Sequence, residues 1–296
     1  NGKKQVYDFN RWYAHIRKLQ PDAVIAVMGP DVRWVGTESG YGRETEWSVL
    51  PADAMLQDNI AANSQKQTGF APMNLMDDDL GSREKIRKAK SLVWYPAETD
   101  VSIRPGWFYH PSEDTAVKSP QKLMDIYFSS VGRNGVLLLN IPPDKRGLIH
   151  ENDVKNLREW KQLRDVTFVR NLLAGAGIQA SGKGNKKMLD GDNRTAWTTS
   201  GNDSTGVIEF SLPSAQRFDV LLLQEDIRKG QRIERFSVEY REAGAHGWKK
   251  LTQGTTVGYK RLLRFAAVNA DAVRIIIESS RTNPTLAEVG LYKQTE

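Results

Sequence analysis

Apolar positions fall into two regimes along the chain. Up to about residue 165 they alternate between helical spacing and short unbroken runs. Phe9, Trp12, Tyr13, Ile16 and Leu19 recur at the spacing of one helix face, and Asp8 stands where its carboxylate can cap the first turn. Pro21-Asp22 ends that helix. Ala23-Val24-Ile25-Ala26-Val27-Met28 is a continuous apolar run, the pattern of a strand buried on both faces of a parallel sheet. Ser91-Leu92-Val93-Trp94-Tyr95 and Gly135-Val136-Leu137-Leu138-Leu139-Asn140-Ile141 read the same way. Between these two, Ser119-Pro120 opens a helix with Leu123, Ile126, Tyr127 and Val131 on one face, and Asn134-Gly135 turns the chain into the strand that follows. A last helix carries Val154, Leu157, Trp160 and Leu163. This alternation predicts a parallel α/β sheet or barrel.

After Asp165 the helical spacing stops. Val207–Phe210, Phe218–Leu223, Ile233–Tyr240, Leu262–Phe265 and Ala272–Ile277 are strand-like and separated by turn signals. They predict an all-β sandwich. The boundary falls between Arg164 and Asn171, which divides the chain into residues 1–165 and 166–296. The first part holds about three or four β/α units, against eight in roughly 250 residues for a closed (β/α)8 barrel. It is therefore expected to be half of a barrel, unable to close its sheet without a partner segment.

Composition narrows the chemistry. The 296 residues carry 42 basic and 36 acidic side chains, a net charge of +6 that is too mild and dispersed to point to nucleic acid. The densest basic run, Arg83 to Lys90, reads as a solvated helix face or loop. Cysteine is absent, so thiol catalysis, disulfides and Cys-ligated zinc are excluded. No apolar run approaches the roughly 20 residues of a membrane span. The chain opens Asn1-Gly2-Lys3 without Met, from which we expect that upstream residues have been removed. Gly182-Lys183-Gly184 lacks the spacing of a phosphate-binding loop and reads as a plain loop.

The segment Gly29 to Val49 directly follows the first apolar run, and barrel enzymes build their active sites at the C-terminal ends of strands. It gathers glycines, Trp34 and Trp47, Arg33 and Arg43, and Glu38, Glu44 and Glu46. Aromatic faces stack on sugar C–H groups, Arg and carboxylates bind hydroxyls, and a protonated carboxyl can act as general acid toward a glycosidic oxygen.

Three stretches together resemble glycoside hydrolase family 29, the α-L-fucosidases. The first runs from Asn1 to Gly36, through Asn1–Asp8, Leu19-Gln20-Pro21-Asp22-Ala23-Val24-Ile25 and Gly29-Pro30-Asp31-Val32-Arg33-Trp34-Val35-Gly36. The second is Ile103-Arg104-Pro105-Gly106-Trp107-Phe108-Tyr109-His110, and the third runs from Gly132-Arg133-Asn134-Gly135 to Pro143. The resemblance covers nearly all of residues 1–150, and is nearest to the subgroup acting on α-1,3/1,4-linked fucose of branched glycans. It implies a retaining fucosidase whose acid/base is Glu38, in Gly-Thr-Glu-Ser-Gly, with Glu44 and Glu46 as rivals in the same loop. Arg33, Trp34, Glu46 and Trp107 are implied as substrate-binding residues, Trp107 facing the C6 methyl of fucose. The family's nucleophile Asp and its histidine-rich pocket belong to a preceding half-barrel that this sequence does not contain. Fucosylated oligosaccharides or glycoprotein glycans are the expected substrates, and a partner half-barrel, on the same or another chain, is expected. His15 reads as helix surface and His110 as structural. The expected location is the periplasm or the exterior.

Leu189-Asp190-Gly191-Asp192-Asn193-Arg194-Thr195-Ala196-Trp197-Thr198 and Leu286-Ala287-Glu288-Val289-Gly290-Leu291-Tyr292 resemble the two signatures of the discoidin-like, factor 5/8 type C, fold common in carbohydrate-binding modules. The resemblance implies a structural calcium ion held by Asp190, Asp192, Thr195 and Glu288, with backbone carbonyls completing an oxygen set. The alternative is a hydrogen-bonded turn with no ion. Trp197 reads as core. The competing reading of the whole chain is a non-catalytic glycan-binding protein.

Overall fold

The computed structural model describes residues 7–26, 29–52 and 79–294. In its first part α1 (Phe9–Leu19) is followed by β1 (Arg33–Trp34), β2 (Val49–Pro51), α2 (Arg83–Arg87), β3 (Leu92–Trp94), β4 (Ala97–Ser102), α3 (Pro120–Ser129), β5 (Val136–Asn140) and α4 (Glu151–Phe168). The capping chemistry sets the helix starts. The Asp8 carboxylate accepts the Arg11 N–H at 3.0 Å, and the Ser119 hydroxyl accepts the Lys122 N–H at 3.2 Å ahead of Pro120 in the first turn. Helix α3 buries Leu123, Met124, Ile126 and Phe128, whereas no residue of α1 is buried among the described residues.

Strands β1, β4 and β5 form a parallel sheet with β4 in the middle, in register from Arg33↔Ala97 and Glu98↔Val136 to Ser102↔Asn140. One face of β4 packs Val101 and then Ile103 on Leu123 and Ile126 of α3 and on Leu137 and Leu139 of β5. The two-residue period of a strand turns Glu98, Asp100 and Ser102 to the opposite face.

Two expected strands differ. Leu92–Trp94 does form a strand, but it pairs antiparallel with β2, and Leu92 and Trp94 are 49% and 40% exposed. The parallel strand is β4, a few residues later. The apolar run at residues 23–26 forms no strand, because both backbone groups of Ile25 are taken by Asp31: its N–H by the carboxylate at 2.6 Å, its C=O by the Asp31 N–H at 3.3 Å. Val27 and Met28 lie outside the described residues. The basic run does open as a short helix, α2.

The second part comprises β6 (Gly177–Ala180), β7 (Trp197–Thr198), β8 (Gly206–Gln224), β9 (Ile233–Glu242), β10 (Lys249–Gly254), β11 (Arg261–Ser280), β12 (Thr285–Leu286) and β13 (Glu288–Tyr292). Its antiparallel sheet runs β10-β9-β11-β8-β13, with β6 also on β8, while β7 pairs β12. Segments expected as separate strands are continuous: β8 spans 19 residues and β11 spans 20, with register shifts at Arg264/Val268 and Ala270/Ala272. Such bulges bend a strand without ending it. Trp197, Phe210, Phe218, Phe236, Val273 and Ile275 fill the core, and the indole N–H of Trp197 donates to Ser181 O at 2.8 Å.

The two parts share a further apolar cluster. Met124 and Phe128 of α3 pack with Val220, Leu222, Leu262 and Tyr292 of the sandwich, and the Phe168 ring at the end of α4 meets Tyr292 edge-on at 5.0 Å.

Candidate active site

Glu38 lies in the loop just beyond β1, exposed, and its Oε2 accepts the indole N–H of Trp107 at 2.9 Å. The loop after β4 supplies Trp107, and two anchors fix that loop. The buried Arg104 guanidinium bridges Asp153 of α4 and Asp114, each at 2.9 Å. Asn140 at the end of β5 donates to Trp107 O at 3.0 Å and to Ser102 Oγ at 3.1 Å. A carboxylate beyond one parallel strand is thus met by a donor held by the ends of the next two.

Behind this pair stands a second indole–carboxylate bond. Trp34 Nε1 donates to Asp100 Oδ1 at 2.8 Å. Burial holds the Asp100 carboxyl above its ordinary range against the Trp34 hydrogen bond, and the charge of Glu38 adds to the rise. Glu98, two residues earlier on the same face, is 2% exposed, and neither of its oxygens meets a donor among the described residues. Burial, and then the charge of Asp100, pushes its carboxyl up to about 7. Sequence reasoning passed over both carboxyls. The signal was the alternation Ala97-Glu98-Thr99-Asp100-Val101-Ser102-Ile103, apolar or small toward the helices and polar toward the other face.

Arg33 and Glu46, expected at the substrate, are 0% and 1% exposed and bind each other. Arg33 Nε also donates to Tyr95 O at 3.1 Å, and Arg43 reaches Glu46 Oε2 at 3.1 Å through both its backbone N–H and its guanidinium. A buried charge must be paired, so these residues brace the loop from inside rather than offer a surface. Glu44 is exposed, but its carboxylate is engaged by Arg133 and Arg261. Trp34 is half-buried with its N–H directed to Asp100. His15 is exposed on α1. His110 is exposed beside the Trp107 loop, and its carbonyl faces Arg104 at 3.5 Å.

In the sandwich, Asp190 and Glu288 converge on one turn. The Asp190 carboxylate accepts the Asp192 N–H at 2.9 Å and the Thr195 hydroxyl at 2.7 Å, while Glu288 accepts the Gly191 N–H at 3.2 Å across 97 positions of sequence. Burial, with the charge of Asp190, pushes Glu288 up to about 7. Two carboxyls that repel each other, with the Thr195 hydroxyl beside them, are oxygen donors of the kind a hard cation takes. Asp192 does not join them. Its carboxylate is bound by Arg194 through Nε at 2.9 Å and Nη2 at 3.0 Å, which lowers it to about 2. Among the described residues no group of three or more His, Asp or Glu stands at metal-holding spacing.

A parallel β/α sheet with a carboxyl just beyond a strand end is the layout of a barrel-type enzyme segment, whose active site lies at the strands' C-terminal ends, and here it is joined to an antiparallel sandwich. The comparisons specify it further. Residues 4–163 match the alpha-L-fucosidase family and residues 174–289 match the F5/8 type C domain. Alpha-L-fucosidase 1 of Arabidopsis thaliana is 37% identical over 99% of this chain and 56% of its own length. A Bacteroides ovatus crystal structure, described only provisionally as an alpha-L-fucosidase, is 46% identical, with a TM-score of 0.82 over 100% of this chain and 46% of that one. A Ruminococcus gnavus family 29 fucosidase in complex with fucose is 29% identical, with a TM-score of 0.81 over 100% of this chain and 59% of that one. The chain belongs to the α-L-fucosidase family, glycoside hydrolase family 29. It spans about half the length of the curated relatives it matches, 56% and 54%.

Proposed function

We propose that this chain supplies the acid/base half of a retaining α-L-fucosidase that removes terminal, α-1,3/1,4-linked fucose from glycans. The observation that carries this reading is the exposed Glu38 carboxyl held by the Trp107 N–H beside Asp100, beyond the ends of adjacent parallel strands. In the first step Glu38 gives its proton to the glycosidic oxygen as the anomeric C–O bond breaks, and a carboxylate outside this chain forms the glycosyl–enzyme bond. In the second step Glu38 takes a proton from water, the water oxygen bonds the anomeric carbon, and the carboxylate leaves with configuration retained. Trp107 aims its N–H at Glu38, and its ring offers an apolar face suited to the C6 methyl of fucose.

The reading extends to three further points. The rest of the barrel, on the same or another chain, provides the nucleophile and most of the fucose pocket. A calcium ion bound by Asp190 and Glu288 would staple the turn to β13 without entering the chemistry. The enzyme works in the periplasm or outside the cell, where branched fucosylated glycans are met. The test is release of free fucose from α-1,3/1,4-fucosylated oligosaccharides by the enzyme carrying this chain, with the anomer of the first product followed by NMR. β-Fucose as the first product, or no release, would contradict the proposal.

A further inference from the structure

Residues 44–48, the return limb of the loop that carries Glu38, are gripped one after another by the sandwich. Glu44 is bound by Arg261, which donates from Nη1 to its carbonyl at 2.7 Å and from Nη2 to its carboxylate at 2.9 Å. The hydroxyl of Thr255 meets that of Thr45 at 2.9 Å and donates to Glu44 O at 3.2 Å. The guanidinium of Arg281 stacks over the Trp47 ring at 3.6 Å.

The central member is Gln231, 3% exposed, at the start of β9's approach. Its Nε2 donates to Glu46 O at 2.9 Å and its Oε1 accepts the Ser48 N–H at 2.8 Å. One carboxamide therefore satisfies the C=O of one residue and the N–H of the next but one, as a peptide group on a neighbouring strand would. Asn134 completes the set, donating to Glu46 O at 3.0 Å and to Gln231 Oε1 at 3.3 Å, while its Oδ1 accepts the Tyr259 N–H at 2.8 Å. A primary amide gives through its nitrogen and accepts through its oxygen in one planar group. A methionine of similar length does neither, and a glutamate could not donate to Glu46 O. Without the Gln231 carboxamide the buried Ser48 N–H would lose its acceptor while Glu46 O would keep Asn134, so this grip bears chiefly on how firmly Ser48 is held.

The limb before Glu38 is tied to the sheet by Val35 N–H on Glu98 O at 2.8 Å, and between Glu38 and residue 44 the loop is tied to the barrel segment by Gly40 N–H on Asp100 O at 3.1 Å and Gly42 N–H on Ser129 O at 2.7 Å. Glu38 thus sits on a loop whose near part is fixed by the sheet, while residues 44–48 are held jointly by the Arg33–Glu46 pair, by Tyr95 N–H on Ser48 O at 2.6 Å and by the sandwich. We infer that the sandwich is a positioning element for Glu38 and that Gln231 is its principal positioning residue. This rests on the reading of Glu38 as acid/base. The appended domain then contributes to turnover without touching substrate.

Two measurements test this. The first is hydrogen exchange in the intact chain, which needs no activity. Gln231→Met should raise exchange of residues 44–48, the Ser48 amide above all, by roughly tenfold or more, with the core amides of β8 and β11 unchanged. Thr255→Val, at the less buried end of the grip, should act in the same direction on residues 44 and 45, and serves alone if Gln231→Met does not fold. The second is turnover in the enzyme carrying this chain. Gln231→Met should lower kcat on oligosaccharide substrates by roughly tenfold or more while sparing nitrophenyl fucoside, whose leaving group needs no proton, and should leave KM near its starting value. Unchanged exchange at 44–48, or equal losses on the two substrates, would overturn the inference. If the unaltered enzyme cleaves no fucoside, the functional reading fails, while the exchange result still decides whether the sandwich holds the loop.

Discussion

Trp107 and Glu38, 69 positions apart in sequence, meet through one indole N–H at 2.9 Å from a carboxylate oxygen. The bond joins the ends of two parallel strands. Hydrogen bonds to charged groups are worth about 1.5–3 kcal/mol. Trp107→Phe, which keeps the apolar ring and removes the N–H, should lower kcat on oligosaccharides by roughly ten- to hundredfold. Steady-state kinetics with Trp107→Phe beside Trp107→Ala separates the two parts of the side chain. An undiminished kcat in the Phe variant would mean that the N–H does no positioning.

Glu98 sets a pH dependence of stability. Burial moves its carboxyl from an ordinary 4.5 up to about 7, so between those values the folded chain keeps a proton that the unfolded chain has released. The folded state binds more protons there, and stability falls as pH rises through that window. Glu288 acts in the same direction. Glu98→Gln, neutral at all pH, should flatten the fall in melting temperature and be the more stable form above pH 7. Parallel melting curves for the two proteins across the window would count against a Glu98 that is buried and without a donor among the described residues.

The helices were legible because their starts are written locally: Asp8 and Ser119 cap as their positions promise. The sandwich strands were legible from alternation, though not that bulges would carry β8 and β11 through apparent breaks. Strand β4 was not legible as a buried run because one of its faces carries Glu98, Asp100 and Ser102. Hydrophobicity pointed instead to Leu92–Trp94, which lies across β2. Glu38 was singled out in the loop through the family resemblance, but the interior place of Arg33 and Glu46 was not foreseen. Charge and glycine mark Arg33, Glu38 and Glu46 alike, and only the pairing of Arg33 with Glu46 in the interior leaves Glu38 facing outward. The grip of Gln231 on Glu46 and Ser48 spans more than 180 positions and leaves no local pattern.

The Asp190–Glu288 turn yields a metal prediction. Calcium should raise the melting temperature of this chain and chelator should lower it, with about 2.7 kcal/mol of stabilisation at a hundredfold excess over Kd. Asp190→Asn and Glu288→Gln should each remove the response. Asp192→Asn should leave it, since Asp192 is spent on Arg194. A melting temperature indifferent to calcium in the unaltered chain, with no metal by elemental analysis, would leave a hydrogen-bonded turn.

The measurement closest to the central claim is the leaving-group dependence of Glu38→Gln in the enzyme carrying this chain. General acid catalysis contributes roughly 10²–10⁴-fold, and only where the departing oxygen needs a proton. The account predicts a loss of that size on α-1,3/1,4-fucosylated oligosaccharides, a much smaller loss in the first step with nitrophenyl fucoside, and recovery of turnover on the latter when azide replaces water. Near-normal turnover of the oligosaccharides by Glu38→Gln, or equal losses on both substrates without azide rescue, would contradict it.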